Sequence, residues 1–471
     1  MDTFKIYING RWIDTGSYYE VFNKYSGEPL ARVCRASSSD AFEAVDSAEK
    51  AFQNNKLTPL QRYYILEKTS EILLSQQEQL AMTIAREAGK PFKEALAEVS
   101  RAANTFRISA EEAKRIKGEV VPLSTTGSEN RFAYTVRVPL GVVCAISPFN
   151  FPLNLVAHKV APAIAAGNTV VLKPASATPI SSLNLCRIME EAGLPPGHLN
   201  AITGAGSEIG EALLDEPRFA YYTFTGSPTV GKQIRNRIGL RKCTLEMGSN
   251  SATIVHSDAD LEKAAAACGR MAFANAGQVC ISVQRIMVQK DVVKQFTELL
   301  VRQAEKLVLG DPADPKTDVG PMISVRDAER AEKWIAEAVS GGARVLTGGS
   351  RTGPLLKPTV LTGVNNSMKV VCEEIFAPVV SISTFNTFEE ALKMVNDSKY
   401  GLQAGVYTGS ISLAMQAVQE LEVGGVMIND TSVFRVDEMP YGGVKESGVG
   451  REGPRYAIEE MTEPKLVVLN I

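Results

Sequence analysis

Short apolar runs alternate with amphipathic helical stretches between residues 140 and 248, and this pattern limits the possible folds more than any other feature. The runs are LGVVCAIS, NTVVLKPAS, HLNAIT, AYYTFTGS and CTLEMG, with helices predicted near residues 153–166, 181–192, 208–214 and 230–238. Apolar runs joined by helices predict a parallel sheet with helices on both faces. The pattern starts again at SATIVH, with a helix expected near residues 259–276, and continues to GGVMIND, which predicts a second α/β domain. Ligands of such sheets bind beyond the carboxyl ends of the strands.

The segments on either side of the first sheet have other patterns. Residues 41–117 carry apolar side chains at helical spacing, which predicts a helical block. Residues 118–133 place Gly, Ser, Thr and Pro between short β-prone pieces, which predicts an excursion such as a hairpin. The tail KLVVLNI has no partner strand nearby in the sequence, so we expect it to pair with this excursion or with another subunit.

Composition argues against several classes of protein. The chain has 471 residues, 45% apolar and 22% charged, which predicts an ordered globular protein. Its 50 basic and 53 acidic side chains leave a net charge of −3, so nucleic acid is not an expected partner. No signal peptide or membrane-spanning apolar stretch is evident, so we expect a cytoplasmic protein without a membrane partner. The seven cysteines lack paired spacing, which indicates a reducing compartment and no metal site.

Three residues near predicted element ends carry groups suited to catalysis. Cys280 follows a predicted helix in FANAGQVCISVQR, where a thiolate can attack an electrophilic carbon. Glu246 ends an apolar run, where a partly buried carboxylate can act as a general base for water. Asn150 lies between Pro148 and Pro152 in a strand-to-helix turn, where a rigid amide can donate to an oxyanion. Taken singly, each has a structural alternative: a small buried hydrophobe, an exposed strand-end charge and a turn residue.

A second group of residues suits a nucleotide. Lys173 and Ser176 close the run VVLKPAS, and Gly226 and Ser227 open a helix in FTGSPTVG. Lysine and hydroxyl groups at strand ends suit ribose hydroxyls or a phosphate, and a helix N-terminus suits a pyrophosphate. The glycine spacing differs from GxGxxG, so this motif is weak by itself. Glu374 in VCEEIFAP is, by itself, most simply part of a solvated turn.

Seven segments are informative as a set because of their order. SPFNFP, KPAS, FTGS, LEMGSN, GQVCIS and EEIFAP are followed by MPYGGVKESGVGREG. In this order they resemble the NAD(P)-dependent aldehyde dehydrogenase superfamily over almost the whole chain. The resemblance implies an α/β fold with a Rossmann-like nucleotide-binding domain of residues 1–117 and 134–247 and an α/β catalytic domain of residues 248–440. It also implies a small β bridging element of residues 118–133 and 455–471, and a homodimer or homotetramer.

The resemblance implies a role for each matching residue. Cys280 looks like the nucleophile, Glu246 like the general base, and Asn150 with the backbone N–H of Cys280 like the oxyanion hole. The positions that resemble the binding site for NAD or NADP are Ser147, Pro148, Phe149, Lys173, Ser176, Gly206, Thr225, Gly226, Ser227, Glu374 and Phe376. The reaction so implied adds the thiolate to an aldehyde, passes a hydride to the nicotinamide, and hydrolyses the thioester to a carboxylate with water activated by Glu246. No metal is implied.

Three positions depart from the family's pattern. Phe149 stands where many relatives have Trp, and this change should preserve packing. Ser249 replaces the commoner second glycine after Glu246, with no consequence evident from the sequence. Ser176 stands where NAD-preferring relatives often have a glutamate that repels a 2′-phosphate. Its hydroxyl removes that like-charge penalty, so NADP is expected to be tolerated, and the preference between NAD and NADP stays open.

The positions that resemble the substrate channel of the family are polar in this chain. Asn154 and His158 follow the oxyanion asparagine at helical spacing, Arg107 lies in a flanking helix, and Arg435 precedes MPYGG. Ile281 adjoins the nucleophile. Two arginines, an amide and an imidazole favour a small hydroxylated or anionic aldehyde, such as lactaldehyde or one bearing a carboxylate, phosphonate or sulfonate. Surface salt bridges explain the arginines equally well.

Two other functions compete with a hydrolytic dehydrogenase. Relatives that transfer the acyl group to coenzyme A typically lack the general base, so Glu246 argues against that reaction. A catalytically silent structural protein has no chemical need for Cys280, Glu246 and Asn150 together, so their joint presence argues against that function too.

Overall fold

The computed structural model describes residues 1–471, and its β-strands form the frame that carries the functional residues. The strands are β1 Asp2–Phe4, β2 Ile6–Ile8, β3 Arg11–Ile13, β4 Tyr18–Phe22, β5 Pro29–Cys34, β6 Val120–Val121, β7 Arg131–Pro139, β8 Val142–Ile146, β9 Thr169–Lys173, β10 Leu199–Ala201, β11 Phe219–Thr225, β12 Lys242–Glu246, β13 Ala252–Val255, β14 Arg285–Gln289, β15 Arg344–Thr347, β16 Arg351–Thr352, β17 Leu355–Leu356, β18 Thr359–Thr362, β19 Val379–Phe385, β20 Tyr400–Gly401, β21 Gln403–Tyr407, β22 Gly425–Ile428, β23 Val444–Lys445, β24 Gly448–Val449 and β25 Thr462–Asn470.

Helices connect and cover these strands. They are α1 Ser38–Asn54, α2 Pro59–Ser75, α3 Gln77–Ala88, α4 Phe92–Ala113, α5 Asn154–Ala166, α6 Ile180–Glu191, α7 Glu211–Asp215, α8 Pro228–Arg237, α9 Leu261–Met271, α10 Val293–Glu305, α11 Val325–Ser340, α12 Lys369–Cys372, α13 Phe388–Asn396, α14 Ile411–Glu420 and α15 Pro454–Glu460. Capping boxes at Ser37 and Thr58 begin the first two helices of the predicted helical block. No helix has the length and apolarity needed to cross a bilayer.

The first sheet has the strand order β24-β12-β11-β8-β9-β10-β2-β3. The strands from β12 to β10 run parallel, which confirms the parallel sheet predicted from the apolar runs. Its outer strands pair antiparallel, and β24 comes from the C-terminal part of the chain. Asn150, Lys173 and Glu246 therefore all lie at or just beyond carboxyl ends of parallel strands.

The second sheet has the order β15-β18-β19-β14-β13-β21-β22 and confirms the second α/β unit. All neighbouring strands are parallel except the edge pair β15–β18. The helix expected near residues 259–276 ends earlier, at Met271, and a tight turn at Ala274–Gly277 follows it. The helix expected near residues 208–214 is divided into a π-helical turn of Gly206–Gly210 and α7.

A small sheet of order β25-β7-β6 lies outside the two larger sheets. β25 pairs antiparallel with β7 from Thr462 to Asn470, and β6 pairs with the other edge of β7. Two partners were expected for the tail, the excursion or another subunit. In the structure the tail pairs with β7 of its own chain, which begins at the end of the excursion. β7 continues to Pro139, beyond residue 133 where the excursion was expected to end. The division of the chain into domains stays a prediction.

Helix α5 lies in the core at every residue. Its sequence NLVAHKVAPAIAA is apolar nearly all round, as expected for a fully buried helix. The exceptions are Asn154, His158 and Lys159, so each of these polar side chains needs a partner inside the protein.

Candidate active site

A strained turn precedes Cys280. Asn275, Ala276 and Gly277 have φ angles of 49°, 54° and 68°, a left-handed run that non-glycine residues rarely adopt. A β-carbon on Gly277 would lie 2.0 Å from the carbonyl oxygen of Ala377, so only glycine fits there. The turn bends the chain away from α9 and directs Cys280 into the interior.

Asn150 contacts this turn. Its side-chain Nδ2 donates to the carbonyl oxygen of Gln278 at 2.9 Å, and Nδ2 of Asn275 donates to the carbonyl oxygen of Asn150 at 3.3 Å. Asn150 is 4% exposed. A side-chain amide has two N–H groups, so one remains for an oxyanion near Cys280.

The thiol of Cys280 has one side-chain partner. Its Sγ lies 2.9 Å from the hydroxyl oxygen of Tyr441. The guanidinium carbon of Arg435 lies 3.6 Å from the centroid of the Tyr441 ring. Burial raises the pKa of the Cys280 thiol to about 11, while the Tyr441 hydrogen bond and the Arg435 charge act in the opposite direction.

Glu246 lies at the end of β12 with neither carboxylate oxygen hydrogen-bonded. Burial raises its pKa well above the usual range; the charge of Glu452 adds to this, and Arg435 and Lys159 oppose it. An unpaired buried carboxyl group is costly, so the site is suited to a water molecule or a reacting group. Glu246 also lies close enough to Cys280 to raise the pKa of the thiol.

A buried cluster of three charges lies beside Glu246. Glu452 accepts from Lys159 at 2.9 Å and from Arg435 at 3.0 Å. Burial opposes the ionisation of Glu452, but the two cations outweigh it and hold its pKa below the usual range. Lys159 also donates to the hydroxyl of Thr225 at 2.6 Å, so this predicted cofactor contact belongs to the charge cluster.

Two polar groups near the ends of β8 and β9 are available to a dinucleotide. The nearly buried ammonium of Lys173 donates only to the carbonyl oxygen of Pro174, at 3.3 Å, and burial lowers its pKa to about 8. The Ser147 hydroxyl is buried without a partner. Ser176 donates to the carbonyl oxygen of Gly204 at 2.6 Å. Free donors at Lys173 and Ser147 fit the hydroxyl-rich ribose of NAD or NADP.

Glu374 is a second carboxylate on this side, and it is half-buried. It accepts from the backbone N–H of Ser249 at 3.0 Å, and burial raises its pKa to about 7. A β-carbon on Gly248 would lie 2.4 Å from Oε2 of Glu374, so glycine is needed for this approach. Glu374 therefore does not lie in a solvated turn.

The remaining predicted cofactor positions surround these groups. The ring of Phe149 packs edge-on against that of Phe376, with centroids 5.8 Å apart. Ser227 caps α8 by accepting from the N–H of Val230 at 3.4 Å, which places a helix N-terminus after β11. Gly226 lies against the Phe224 ring, where a β-carbon would come within 2.5 Å. Gly206 begins the π-helical turn, and Pro148 lies between Ser147 and Phe149.

A cavity of about 100 Å³ reaches Cys280. It is lined by Glu94, Arg101, Phe151, Asn154, Leu155, Ala274, Asn275, Val279, Cys280, Ile281, Val433, Arg435 and Tyr441. Of the positions expected to bind substrate, Asn154, Ile281 and Arg435 line this cavity, and their role stays a prediction.

The structure corrects the position of Arg107. Arg107 is exposed, donates to Oδ1 of Asn104 at 2.7 Å and does not line the cavity, whereas Arg101 does. Six residues along α4 rotate a side chain by about 240° around the axis, so the two arginines face different directions. The arginine on the cavity side of α4 is Arg101.

The position of His158 also differs from the expectation. Its Nε2 lies 3.0 Å from Oδ1 of Asp437, and its side chain is buried away from the cavity. Burial, together with the charge of Arg435, lowers its pKa. His158 lies one turn of α5 after Asn154, where its Nε2 approaches Oγ1 of Thr105 on α4 at 3.4 Å.

Comparison with known proteins identifies the family. The sequence profile of the aldehyde dehydrogenase family matches residues 12–467. The chain belongs to the aldehyde dehydrogenase family. A 3-sulfolactaldehyde dehydrogenase of Priestia aryabhattai is 54% identical over 99% of this chain and 98% of its own length. A lactaldehyde dehydrogenase of Methanococcus maripaludis is 41% identical over 99% of this chain and 100% of its own.

A solved structure has the same fold. Glyceraldehyde-3-phosphate dehydrogenase GapN from Methanocaldococcus jannaschii, complexed with NADP, superposes with a TM-score of 0.93 at 42% identity. The match covers 96% of this chain and 99% of that one. This aldehyde dehydrogenase is therefore an oxidoreductase that converts an aldehyde to a carboxylate with NAD or NADP, as the resemblance implied.

Sequence reasoning missed four residues of this aldehyde dehydrogenase site: Arg101, Lys159, Tyr441 and Glu452. Lys159 had a signal, because a lysine inside an almost wholly apolar helix needs a buried partner. Tyr441 and Glu452 lie in the recognised segment MPYGGVKESGVGREG but carried no pattern that pointed to Cys280 or Glu246. The sequence did not show whether Arg101 or Arg107 lines the cavity, because this depends on how α4 is rotated about its axis.

Proposed function

We propose that this aldehyde dehydrogenase oxidises 3-sulfolactaldehyde, or a small aldehyde of the same anionic class, through Cys280. The observation that carries the proposal is a pair of guanidinium groups in the cavity beside Cys280. Nε of Arg101 and Nε of Arg435 are both buried and lack a hydrogen-bond partner. Buried unpaired donors are costly, and a bound sulfonate, phosphate or carboxylate would satisfy them.

The charges around these arginines leave capacity for an anion. Arg101 pairs with Asp437 at 2.9 Å and Arg435 with Glu452 at 3.0 Å, each through Nη2. The carboxylates hold the guanidinium groups in place while their Nε edges stay free. A guanidinium group has five N–H donors in a fixed plane, which suits the several oxygens of a sulfonate.

In the proposed reaction, the Cys280 thiolate attacks the aldehyde carbon. A carbon–sulfur bond forms, the carbonyl π-bond breaks, and the resulting oxyanion accepts from Nδ2 of Asn150 and the backbone N–H of Cys280. A bound nicotinamide would supply the hydride acceptor; as the hydride leaves the hemithioacetal carbon, the oxyanion re-forms the C=O bond and gives the thioester of Cys280. Lys173, Ser147 and Glu374 would hold the cofactor through its ribose hydroxyls, and its binding surface would be formed by Ser176, Ser227, Gly226, Gly206, Pro148, Phe149 and Phe376.

Glu246 completes the turnover. Its carboxylate removes a proton from water as the water oxygen attacks the thioester carbon, and the carbon–sulfur bond breaks to release the carboxylate and the Cys280 thiolate. The free oxygens of Glu246 are consistent with this role. Transfer to coenzyme A needs no such base, so Glu246 favours hydrolysis over the acylating alternative.

Relatives support the choice of substrate class. The relative of 54% identity is named for 3-sulfolactaldehyde and the one of 41% for lactaldehyde, its analogue without the sulfonate. GapN is named for a phosphorylated aldehyde. Because Arg101 and Arg435 are cationic, they favour an anionic aldehyde such as 3-sulfolactaldehyde over uncharged lactaldehyde.

Replacing Arg101 with glutamine tests this proposal. We expect kcat/KM for 3-sulfolactaldehyde to fall by about 10- to 100-fold, because one charge-assisted hydrogen bond contributes roughly 1.5–3 kcal/mol. For lactaldehyde the change should stay within about threefold, since no sulfonate is present to lose the contact. Initial rates of NAD(P)H formation with both aldehydes measure the ratio.

The matched control is Arg107→Gln, on the same helix but outside the cavity. It should leave both kcat/KM values unchanged. Equal losses for the two aldehydes in Arg101→Gln would contradict recognition of an anion and leave lactaldehyde as the better candidate.

Ser176 tests the cofactor. We expect Ser176→Glu to shift the ratio of kcat/KM values at least tenfold from NADP towards NAD, because a carboxylate near the adenine ribose repels a 2′-phosphate. Ser176→Gln is the control of equal size without charge. If both variants shift the ratio equally, shape rather than charge explains the effect, and the account of Ser176 is wrong.

We further propose that the enzyme acts in the cytoplasm as a homodimer or homotetramer, with the three-part division of the chain described above. All the cysteines are free, which agrees with a reducing compartment. The small sheet leaves Val120, Leu466 and Ile471 exposed, and a second copy would bury this apolar surface.

A further inference from the structure

The hydroxyl of Tyr441 touches the reacting sulfur, and the reaction described above does not use it. The ring is 2% exposed and packs in a small apolar cluster with Val279, Ile281 and Leu402. Backbone hydrogen bonds of 3.1 Å and 2.7 Å link Tyr441 to Glu452 in both directions. The hydroxyl is therefore held at a fixed point, 2.9 Å from Sγ of Cys280.

We propose that Tyr441 is a catalytic hydrogen-bond donor that stabilises the Cys280 thiolate, and that Arg435 is its positioning residue. This inference rests on the proposed role of Cys280 as the nucleophile. It concerns the state of the sulfur and is independent of which aldehyde the enzyme oxidises.

The direction of the hydrogen bond can follow the charge on sulfur. While Cys280 is protonated, its S–H can donate to the phenol oxygen. When the thiol loses its proton, the phenol O–H rotates and donates to the sulfur anion, at no cost in backbone movement. Burial and the nearby Cys280 raise the pKa of Tyr441 well above its ordinary value, although Arg435 opposes them. Tyr441 therefore keeps its proton and acts as a donor rather than a base.

The sulfur needs such a donor because no other side chain hydrogen-bonds to it. None of the histidines His158, His198 and His256 hydrogen-bonds to Sγ, and no lysine does. Burial disfavours the thiolate, while Tyr441 and Arg435 favour it. The same donor would stabilise sulfur again when it leaves the thioester, so it acts in both halves of the reaction.

Arg435 supports the tyrosine in two ways. Its guanidinium group lies over the ring face, 3.6 Å from the centroid, where a cation polarises the phenol and strengthens its O–H as a donor. Its bond to Glu452 also fixes the strand segment that is paired with Tyr441. The nucleophile and the charge cluster beside Glu246 are thus connected through Tyr441.

The rate of alkylation by iodoacetamide, measured against pH on the full-length enzyme without aldehyde, tests the proposal. In Tyr441→Phe we expect the midpoint of the alkylation profile to rise by about one pH unit and the rate near neutral pH to fall about tenfold. Tyr407→Phe, which removes another buried phenol at the end of β21 and away from Cys280, should leave the midpoint unchanged. Labelling of Cys280→Ala measures the background from the other cysteines.

A second variant distinguishes the loss of the hydrogen bond from a change in packing around residue 441. Incorporation of a fluorinated tyrosine at position 441 makes the phenol more acidic without removing it, so the midpoint should shift downwards. An unchanged midpoint in both Tyr441 variants would overturn the proposal. If Cys280→Ala retains wild-type NAD(P)H formation, the nucleophile assignment fails instead, and the two failures are therefore distinguishable.

Discussion

Cys280→Ala is expected to abolish NAD(P)H formation, with kcat falling by about 10⁴-fold or more. The covalent intermediate cannot form without the thiolate, and no other nucleophile lines the cavity at that point. The residual rate with each aldehyde, measured at saturating cofactor, checks this expectation.

Cys372→Ala is the matched control, because Cys372 is the other cysteine that is only partly buried. It should retain wild-type activity. Substantial turnover in Cys280→Ala would mean that the chemistry uses another residue, and the mechanism proposed for this aldehyde dehydrogenase would be wrong.

Glu246→Gln is expected to stop the reaction after the first half. Acylation leaves one NAD(P)H per active site, seen as a burst, and the steady-state rate then falls by about 10²- to 10⁴-fold because the amide cannot accept a proton from water. Rapid mixing with the aldehyde resolves the burst from the slow phase.

The pH dependence of the wild-type enzyme follows from the same residue. Burial raises the pKa of Glu246, so the carboxyl is protonated and inactive as a base below that pKa. Steady-state activity should therefore decrease as the pH is lowered through it, and the slow phase of Glu246→Gln should lack this acidic limb. Glu262→Gln, at an exposed position, should behave as the wild type. If Glu246→Gln shows no burst of NAD(P)H, Glu246 acts in acylation rather than in hydrolysis.

The parallel sheets and the main catalytic candidates were predictable because their signals are local. An apolar run followed by an amphipathic helix identifies a buried parallel strand within about 20 residues. Asn150, Lys173 and Glu246 follow such runs directly, so their place at strand ends needed no knowledge of distant parts of the chain. The family resemblance rested on equally short segments.

The positions of the residues around the substrate cavity depended on details of packing that sequence patterns do not contain. The choice between Arg101 and Arg107 depends on how α4 is rotated against α5, and the burial of His158 depends on the packing of α5 against α4 and Asp437. The left-handed backbone at Ala276 was also unpredictable, since alanine rarely adopts that conformation. Packing imposes these conformations against local preference.

Sequence by itself determined the order of the α/β units and the kinds of reactive group that the chain contains. The tertiary structure alone decided which groups meet: Tyr441 and Cys280 are 161 residues apart, and Glu452 and Lys159 are 293 apart. Hydrogen bonds and ion pairs act over a few ångströms through space. Whether residues so far apart in the chain come within that range is settled only when the sheets and helices pack.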